Sequence, residues 1–176
     1  MTSLFTGSAA RIALVALAAS IALIAQNTIF PHLAWHGVVP NLVLLVVVAG
    51  GLTRGAHFGM VLGFGAGVLL DLAPPADHVA GRWALALLVV GYVAGQVRQE
   101  VTPSVLHSVA TVGACSFLGS SLFAVTGLVL QDPPGTVPDL LQVVLVGVAW
   151  DVVLAPFVLP AMMKTLIVLE PERLSI

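Results

Sequence analysis

The chain has 176 residues, of which 59% are hydrophobic and only 8% are charged, and its net charge is -2. Because soluble domains carry roughly 25% charged residues, this composition, with a mean hydropathy of +1.11, excludes a soluble protein with a polar surface. The length allows about six membrane spans of ~20 residues and leaves no room for a soluble catalytic domain. We therefore predict an all-α integral membrane protein in which residues 1–176 form a single transmembrane domain.

Apolar runs separated by polar and helix-breaking residues predict six helices, at about 9–26, 40–52, 58–72, 82–97, 105–130 and 139–160. The first run follows Arg11 and resembles a signal peptide, but it lacks a small-residue cleavage site, so it is kept as a span. Helix 2 opens at Pro40, where a missing N–H costs nothing, and because it is short for a span it either tilts little or lies inside the bundle. Pro156 and Pro160 should kink or end helix 6, because proline removes a helix bond and clashes with the preceding turn.

The placement of the basic residues predicts the orientation of these helices. With six spans, five of the six Lys and Arg residues fall on the side that holds both termini. These are Arg11, Arg54, Arg98, Lys164 and Arg173, whereas Arg82 alone lies on the other side. Because cytoplasmic connections carry an excess of basic residues, both termini of this multi-pass membrane protein are predicted to be cytoplasmic.

One stripe of small residues stands out in helix 3. Gly59, Gly63, Gly67 and Asp71 follow one another at intervals of four residues, so on a helix they lie on one face. Such spacing lets another helix approach closely within a membrane. Two interpretations are open: a face that binds a partner helix, or internal packing against helix 4, which carries a second small-residue pair, Gly91 and Gly95.

Asp71 ends this stripe at the predicted outer surface, in the same outer region as Arg82. It is interpreted either as an interfacial carboxylate that is solvated or forms an outer-loop ion pair with Arg82, or as a hydrogen-bond anchor for the outer loop or for a partner chain. The ion pair would explain why a basic residue is tolerated on that side.

Asp151 lies about 18 Å from the outer end of helix 6, near the middle of the bilayer. Intramembrane carboxylates are costly and usually face a bundle interior or a cavity. His107, early in helix 5, is the predicted partner of this buried polar group. The pair is either a structural hydrogen bond that orders the bundle or part of a polar pocket or proton path.

The sequence carries no recognisable catalytic motif. It contains no Gly-x-Ser-x-Gly, no HExxH, no phosphate loop and no basic patch for nucleic acid. His32 and His36 are too few for a metal site, since no Cys or carboxylate accompanies them. We therefore predict a non-enzymatic protein with no catalytic residue, no metal, no cofactor and no nucleic-acid partner.

The order and spacing of several short motifs resemble the MreD family of bacterial rod shape-determining membrane proteins. The motifs are Q-N-T at 26–28, G-V-V-P-N-L at 37–42, R-G at 54–55, G-F at 63–64, G-V-L-L-D-L at 67–72 and G-Y-V-A-G-Q-V-R at 91–98. The resemblance covers most of the chain and is strongest from Pro40 to Arg98. The chain departs from the family pattern at Asn41, where many members have Asp, and at Asp151, near which many carry an amide.

The resemblance implies an interaction subunit of the rod complex, or elongasome. Such a subunit binds MreC and works with the MreB filament, the RodA glycosyltransferase and a transpeptidase in lateral peptidoglycan synthesis and cell-shape maintenance. It also implies a fold similar to the substrate-binding subunit of energy-coupling-factor transporters. The alternative is therefore a transporter subunit that binds a vitamin or a lipid, since a fold does not fix a function.

Overall fold

The computed structural model of the chain describes residues 2–74, 78–98, 104–132 and 137–168. Within these ranges the chain forms six α-helices and no β-strand, apart from one isolated bridge between Trp35 and Val38. The helices are α1 (Thr2–Thr28), α2 (Leu42–Arg54), α3 (Ala56–Leu72), α4 (Arg82–Gln96), α5 (Val105–Leu130) and α6 (Val137–Val168), and a 3-10 helix covers Phe30–Leu33. The all-helical architecture predicted from the sequence is confirmed for the described residues.

Helix α6 continues beyond its predicted end at residue 160 and runs to Val168. Pro156 and Pro160 lie within it and are exposed, whereas Ala155 and Leu159 beside them are buried. The prolines therefore lie on the outer face of the helix, and the core contacts of their neighbours hold the segment helical across them.

Helix α2 occupies the centre of the bundle. Every residue from Leu42 to Leu52 is buried, and the helix contacts each of the other five helices. A helix that is apolar on all sides avoids water or lipid only by such enclosure. Of the two alternatives for the short helix 2, the position inside the bundle is the one observed.

Long-range contacts define two ends of the bundle. At the first, which we call the arginine end, Arg54 Nη2 donates to the carbonyl oxygen of Leu166 at 3.0 Å, and Arg98 lies beside Gly55. At the opposite end, which we call the Asp71 end, Asn27 Nδ2 donates to the carbonyl oxygen of Pro74 at 3.4 Å. Successive helices from α2 to α5 run between these two ends in alternating directions.

Two of the helical segments, Val105–Leu130 and Pro138–Leu166, are long and apolar enough to cross a membrane. The apolar segments Val15–Thr28, Leu42–Arg54, Ala56–Leu72 and Arg82–Gln96 are shorter.

Candidate functional site

The three glycines of the α3 stripe lie directly against the backbone of α4. A Cβ atom at Gly59, Gly63 or Gly67 would come closer than 3.0 Å to backbone atoms of α4, a separation that real Cβ atoms essentially never show. Gly91 of α4 meets the backbone of Gly59 in the same way, and Gly51 of α2 meets that of Gly91. We call this α3–α4 contact the glycine seam; near Gly59 it brings three helices together.

The glycine seam leaves no room for a second protein. Gly59, Gly63, Gly67 and Asp71 are all buried, and a partner helix would have to displace α4 to reach them. The partner-binding interpretation of these four residues therefore does not fit the structure, and the observed arrangement is internal packing of the stripe against α4.

Asp71, at the end of the glycine seam, accepts hydrogen bonds from the start of α4. Its Oδ2 lies 2.9 Å from the backbone nitrogen of Gly81 and 3.0 Å from that of Ala84. Its Oδ1 lies 3.1 Å from the backbone nitrogen of Trp83 and 3.0 Å from His78 Nε2. The first N–H groups of a helix lack intrahelical acceptors and carry the positive end of the helix dipole. The α3 carboxylate therefore caps α4 and anchors the loop between the two helices.

Arg82 ties the start of α4 to the end of α5. Its guanidinium forms an ion pair with the Asp132 carboxylate, donates to the carbonyl oxygen of Phe123 at 2.6 Å, and lies 3.8 Å from the centroid of the Phe123 ring. The Trp83 ring stacks on Phe123 with a centroid separation of 4.4 Å. Gly127 lies so close to the guanidinium that a Cβ there would clash with it.

The predicted ion pair between Asp71 and Arg82 is not formed. The carboxylate of Asp71 is occupied by the α4 backbone, while the guanidinium of Arg82 extends to α5 and Asp132. A signal for the observed pair was present in the sequence, because Asp132 follows the predicted helix 5 on the same outer side as Arg82.

Asp151 is only 1% exposed and connects three helices. Its Oδ1 accepts a hydrogen bond from the backbone N–H of Asn41 at 2.7 Å, and its Oδ2 accepts one from Ser116 Oγ at 2.6 Å. Asn41 is the N-cap of α2, where its own side chain accepts from the backbone N–H of Leu44 at 2.9 Å. The carboxylate therefore faces the positive end of the α2 dipole. Asn41 and Asp151, which are 110 positions apart in the chain, are therefore in direct contact.

His107 is not the partner of Asp151. Its Nε2 lies 3.3 Å from the carbonyl oxygen of Val97, near the arginine end. Ser116, which does bind Asp151, lies farther along α5 by about 13.5 Å at ~1.5 Å per residue. The Asp151 carboxylate lies at the level of Ser116 and of the first turn of α2, farther from the arginine end than His107. The prediction that His107 and Asp151 lie at the same level was therefore wrong.

A groove of about 550 Å³ lies between α1 and α3. Its lining includes Ala16 and Ala19 of α1, Gly65 and Ala66 of α3, and Arg54 at the end of α2. Apolar side chains of α3 complete its walls. Sequence reasoning missed this groove, because its two walls come from helices that are not consecutive in the chain.

Within residues 2–74, 78–98, 104–132 and 137–168, no three His, Cys, Asp or Glu side chains are grouped so that they could hold a metal ion. No protein-family model, curated protein or solved structure matches the chain.

Proposed function

We propose that the chain is a six-span protein of the bacterial cytoplasmic membrane with both termini in the cytoplasm. The distribution of charge supports this orientation, because Arg54 and Arg98 share the arginine end with the last turns of α6. The carboxylates of Asp71 and Asp132 lie at the opposite end. Helices α2, α3 and α4 rise only about 20–26 Å, so their connecting turns would lie at the edges of a hydrocarbon core about 30 Å thick.

Within that membrane, the function that we propose is a non-enzymatic interaction subunit of the rod complex, similar to MreD. It binds MreC and supports lateral peptidoglycan synthesis together with MreB, RodA and the transpeptidase. The observation that supports this role is the use of the two buried carboxylates: both Asp71 and Asp151 hold helices together through backbone N–H groups. Polar groups committed to such contacts, together with the closed glycine seam, favour a rigid scaffold.

MreC would contact a surface other than the glycine seam, since α4 covers the seam. Exposed apolar side chains of α5 and α6, among them Phe117, Val125 and Phe157, offer one such surface. They face away from the core and need no displacement of a helix.

Co-purification tests this proposal. The chain and MreC from the same genome are expressed together, the chain is tagged, and MreC is expected to co-purify in mild detergent. An unrelated single-span membrane protein expressed at the same level serves as the control and should be lost. Absence of MreC from a folded, monodisperse preparation would contradict the proposal.

The alternative function is a transporter subunit that binds a vitamin or a lipid, and the α1–α3 groove is the observation that favours it. A vitamin that remains bound through purification, together with capture of a coupling ATPase instead of MreC, would support that alternative.

A further inference from the structure

We propose that the α1–α3 groove binds an anionic phospholipid, with one acyl chain along the groove and the headgroup phosphate at Arg54. This site is distinct from any surface for MreC. Its placement in the cytoplasmic leaflet rests on the orientation proposed above.

The shape of the groove fits a lipid chain from one leaflet. Along α3 the lining extends from Phe58 to Leu69, which corresponds to about 16.5 Å of helix at ~1.5 Å per residue. One leaflet contributes about half of a hydrocarbon core that is ~30 Å thick, so the groove is about as long as one leaflet is deep. Small residues on both sides, Ala16 and Gly65 among them, provide the width.

Arg54 supplies the charge at one end of the groove. Its guanidinium is held by the Leu166 carbonyl oxygen at 3.0 Å and lies 4.8 Å from the centroid of the Phe58 ring. Its Nε is buried without a hydrogen-bond acceptor in the described structure. The ion pairs found among the described residues involve Asp71 and Asp132 and do not include Arg54. Arg54 lines the groove and its guanidinium is oriented by these contacts, and a planar group of this kind is suited to a phosphate.

The charge at this end favours a lipid over a partner helix. Anionic lipids are concentrated in the cytoplasmic leaflet, and basic pockets between membrane helices on that side bind their headgroups. The cytoplasmic flank of a partner helix, by contrast, is enriched in Lys and Arg, which Arg54 would repel.

Native mass spectrometry of the purified full chain tests the site, with phosphatidylglycerol and phosphatidylcholine of identical acyl chains as the probes. We expect the wild type to retain phosphatidylglycerol about fivefold better, the value of roughly one arginine near an anionic surface. Arg54→Gln should abolish this preference. Arg98→Gln, which changes an exposed arginine at the same end, should preserve it.

Gly65→Leu provides a second test that does not depend on the folding of an Arg54 variant. A Cβ at Gly65 has no atom within 4 Å, so the backbone accommodates a side chain at this position, which lines the groove. Retention of phosphatidylglycerol should fall severalfold in this variant, and that of phosphatidylcholine should fall with it.

Several outcomes would overturn the proposal. They are equal retention of both lipids by the wild type, an unchanged preference in a folded Arg54→Gln variant, and unchanged lipid retention with loss of MreC capture in Gly65→Leu. The last result would assign the groove to a helix. The lipid measurement uses the purified chain without MreC. If the wild-type chain failed to capture MreC, the proposed function would be contradicted but the lipid site would not.

Discussion

The backbone N–H of Asn41 donates to the buried Asp151 carboxylate at 2.7 Å, so the first turn of α2 is fastened to the middle of α6. The same carboxylate accepts from Ser116 Oγ of α5. The carboxyl group is accommodated in the apolar core because two donors and the positive end of the α2 dipole face it. The contact therefore connects the central helix to the two longest apolar segments of the bundle.

Exchanging the amide and the carboxylate between positions 41 and 151 tests whether the two residues are energetically coupled. Asn41→Asp places a second carboxylate beside Asp151, and like charges in one apolar site destabilise each other. Adding Asp151→Asn should recover about 0.5–3 kcal/mol of the free energy of unfolding, the range for residues in contact. Thermal unfolding of the four proteins in detergent measures the recovery.

Asn27→Asp is the matched control for that cycle, since Asn27 is an exposed asparagine near the end of α1. The change that Asn27→Asp causes in the free energy of unfolding should simply add to the change caused by Asp151→Asn. Additive effects for Asn41→Asp as well would show that the contact does not couple the two helices.

Loss of the Asp71 carboxylate should destabilise the start of α4. Asp71→Ala leaves the backbone N–H groups of Gly81, Trp83 and Ala84 without their acceptor, which should cost about 1–3 kcal/mol. Hydrogen exchange should accelerate at these amides, while the amides in the middle of α5 remain protected. Leu72→Ala, at the next and largely exposed residue, should change neither quantity appreciably; similar losses for both variants would argue against the cap.

Two glycines of α3 should respond in opposite ways to alanine. Gly63→Ala inserts a methyl group into the backbone of α4 and should destabilise the chain by about 1–3 kcal/mol. Gly65→Ala points into open space and should be neutral or stabilise by up to about 1 kcal/mol, the helix-propensity difference. Thermal midpoints of the two variants, measured side by side, decide; a Gly63→Ala variant as stable as the wild type would mean that the glycine seam is not closed.

Arg82→Lys should weaken the connection between α4 and α5. An ammonium cannot pair with Asp132, bond the Phe123 carbonyl and cover the Phe123 ring simultaneously, as the planar guanidinium does. We expect a loss of about 1 kcal/mol or more and a changed fluorescence of Trp83, which stacks on Phe123. Arg98→Lys, at an exposed position, should stay within about 0.5 kcal/mol of the wild type, and an equal effect of both changes would contradict the assignment.

Features that depend on a single helix, or on two helices that are consecutive in the chain, could be predicted from the sequence. The glycine seam is one, because Gly63 and Gly91 lie on consecutive helices with matching small-residue spacing, so internal packing could be proposed beside partner binding. The central position of α2 is another, since its short and uniformly apolar sequence indicates enclosure.

The partners of the buried charges were not accessible. Periodicity gives the depth of Asp151 but not the rotation of α6 relative to its neighbours, and the donor that it binds is a backbone N–H of Asn41, which has no sequence signature. For Arg82 the sequence offers two carboxylates on the predicted outer side, Asp71 and Asp132, and does not decide between them; the packing of the bundle selects Asp132, the more distant one in the chain. Pairings of this kind are decided by the packing of the whole bundle.

The contact between Asn41 and Asp151 also bears on how the chain is made. The two residues are separated by 110 positions, so a ribosome completes α2 through α5 before it adds the acceptor for the Asn41 N–H. Until then the N–H of Asn41 lacks this acceptor within an apolar bundle, where an unpaired polar group is costly. The contacts of α2 are therefore complete only after α6 has been synthesised and has packed against it.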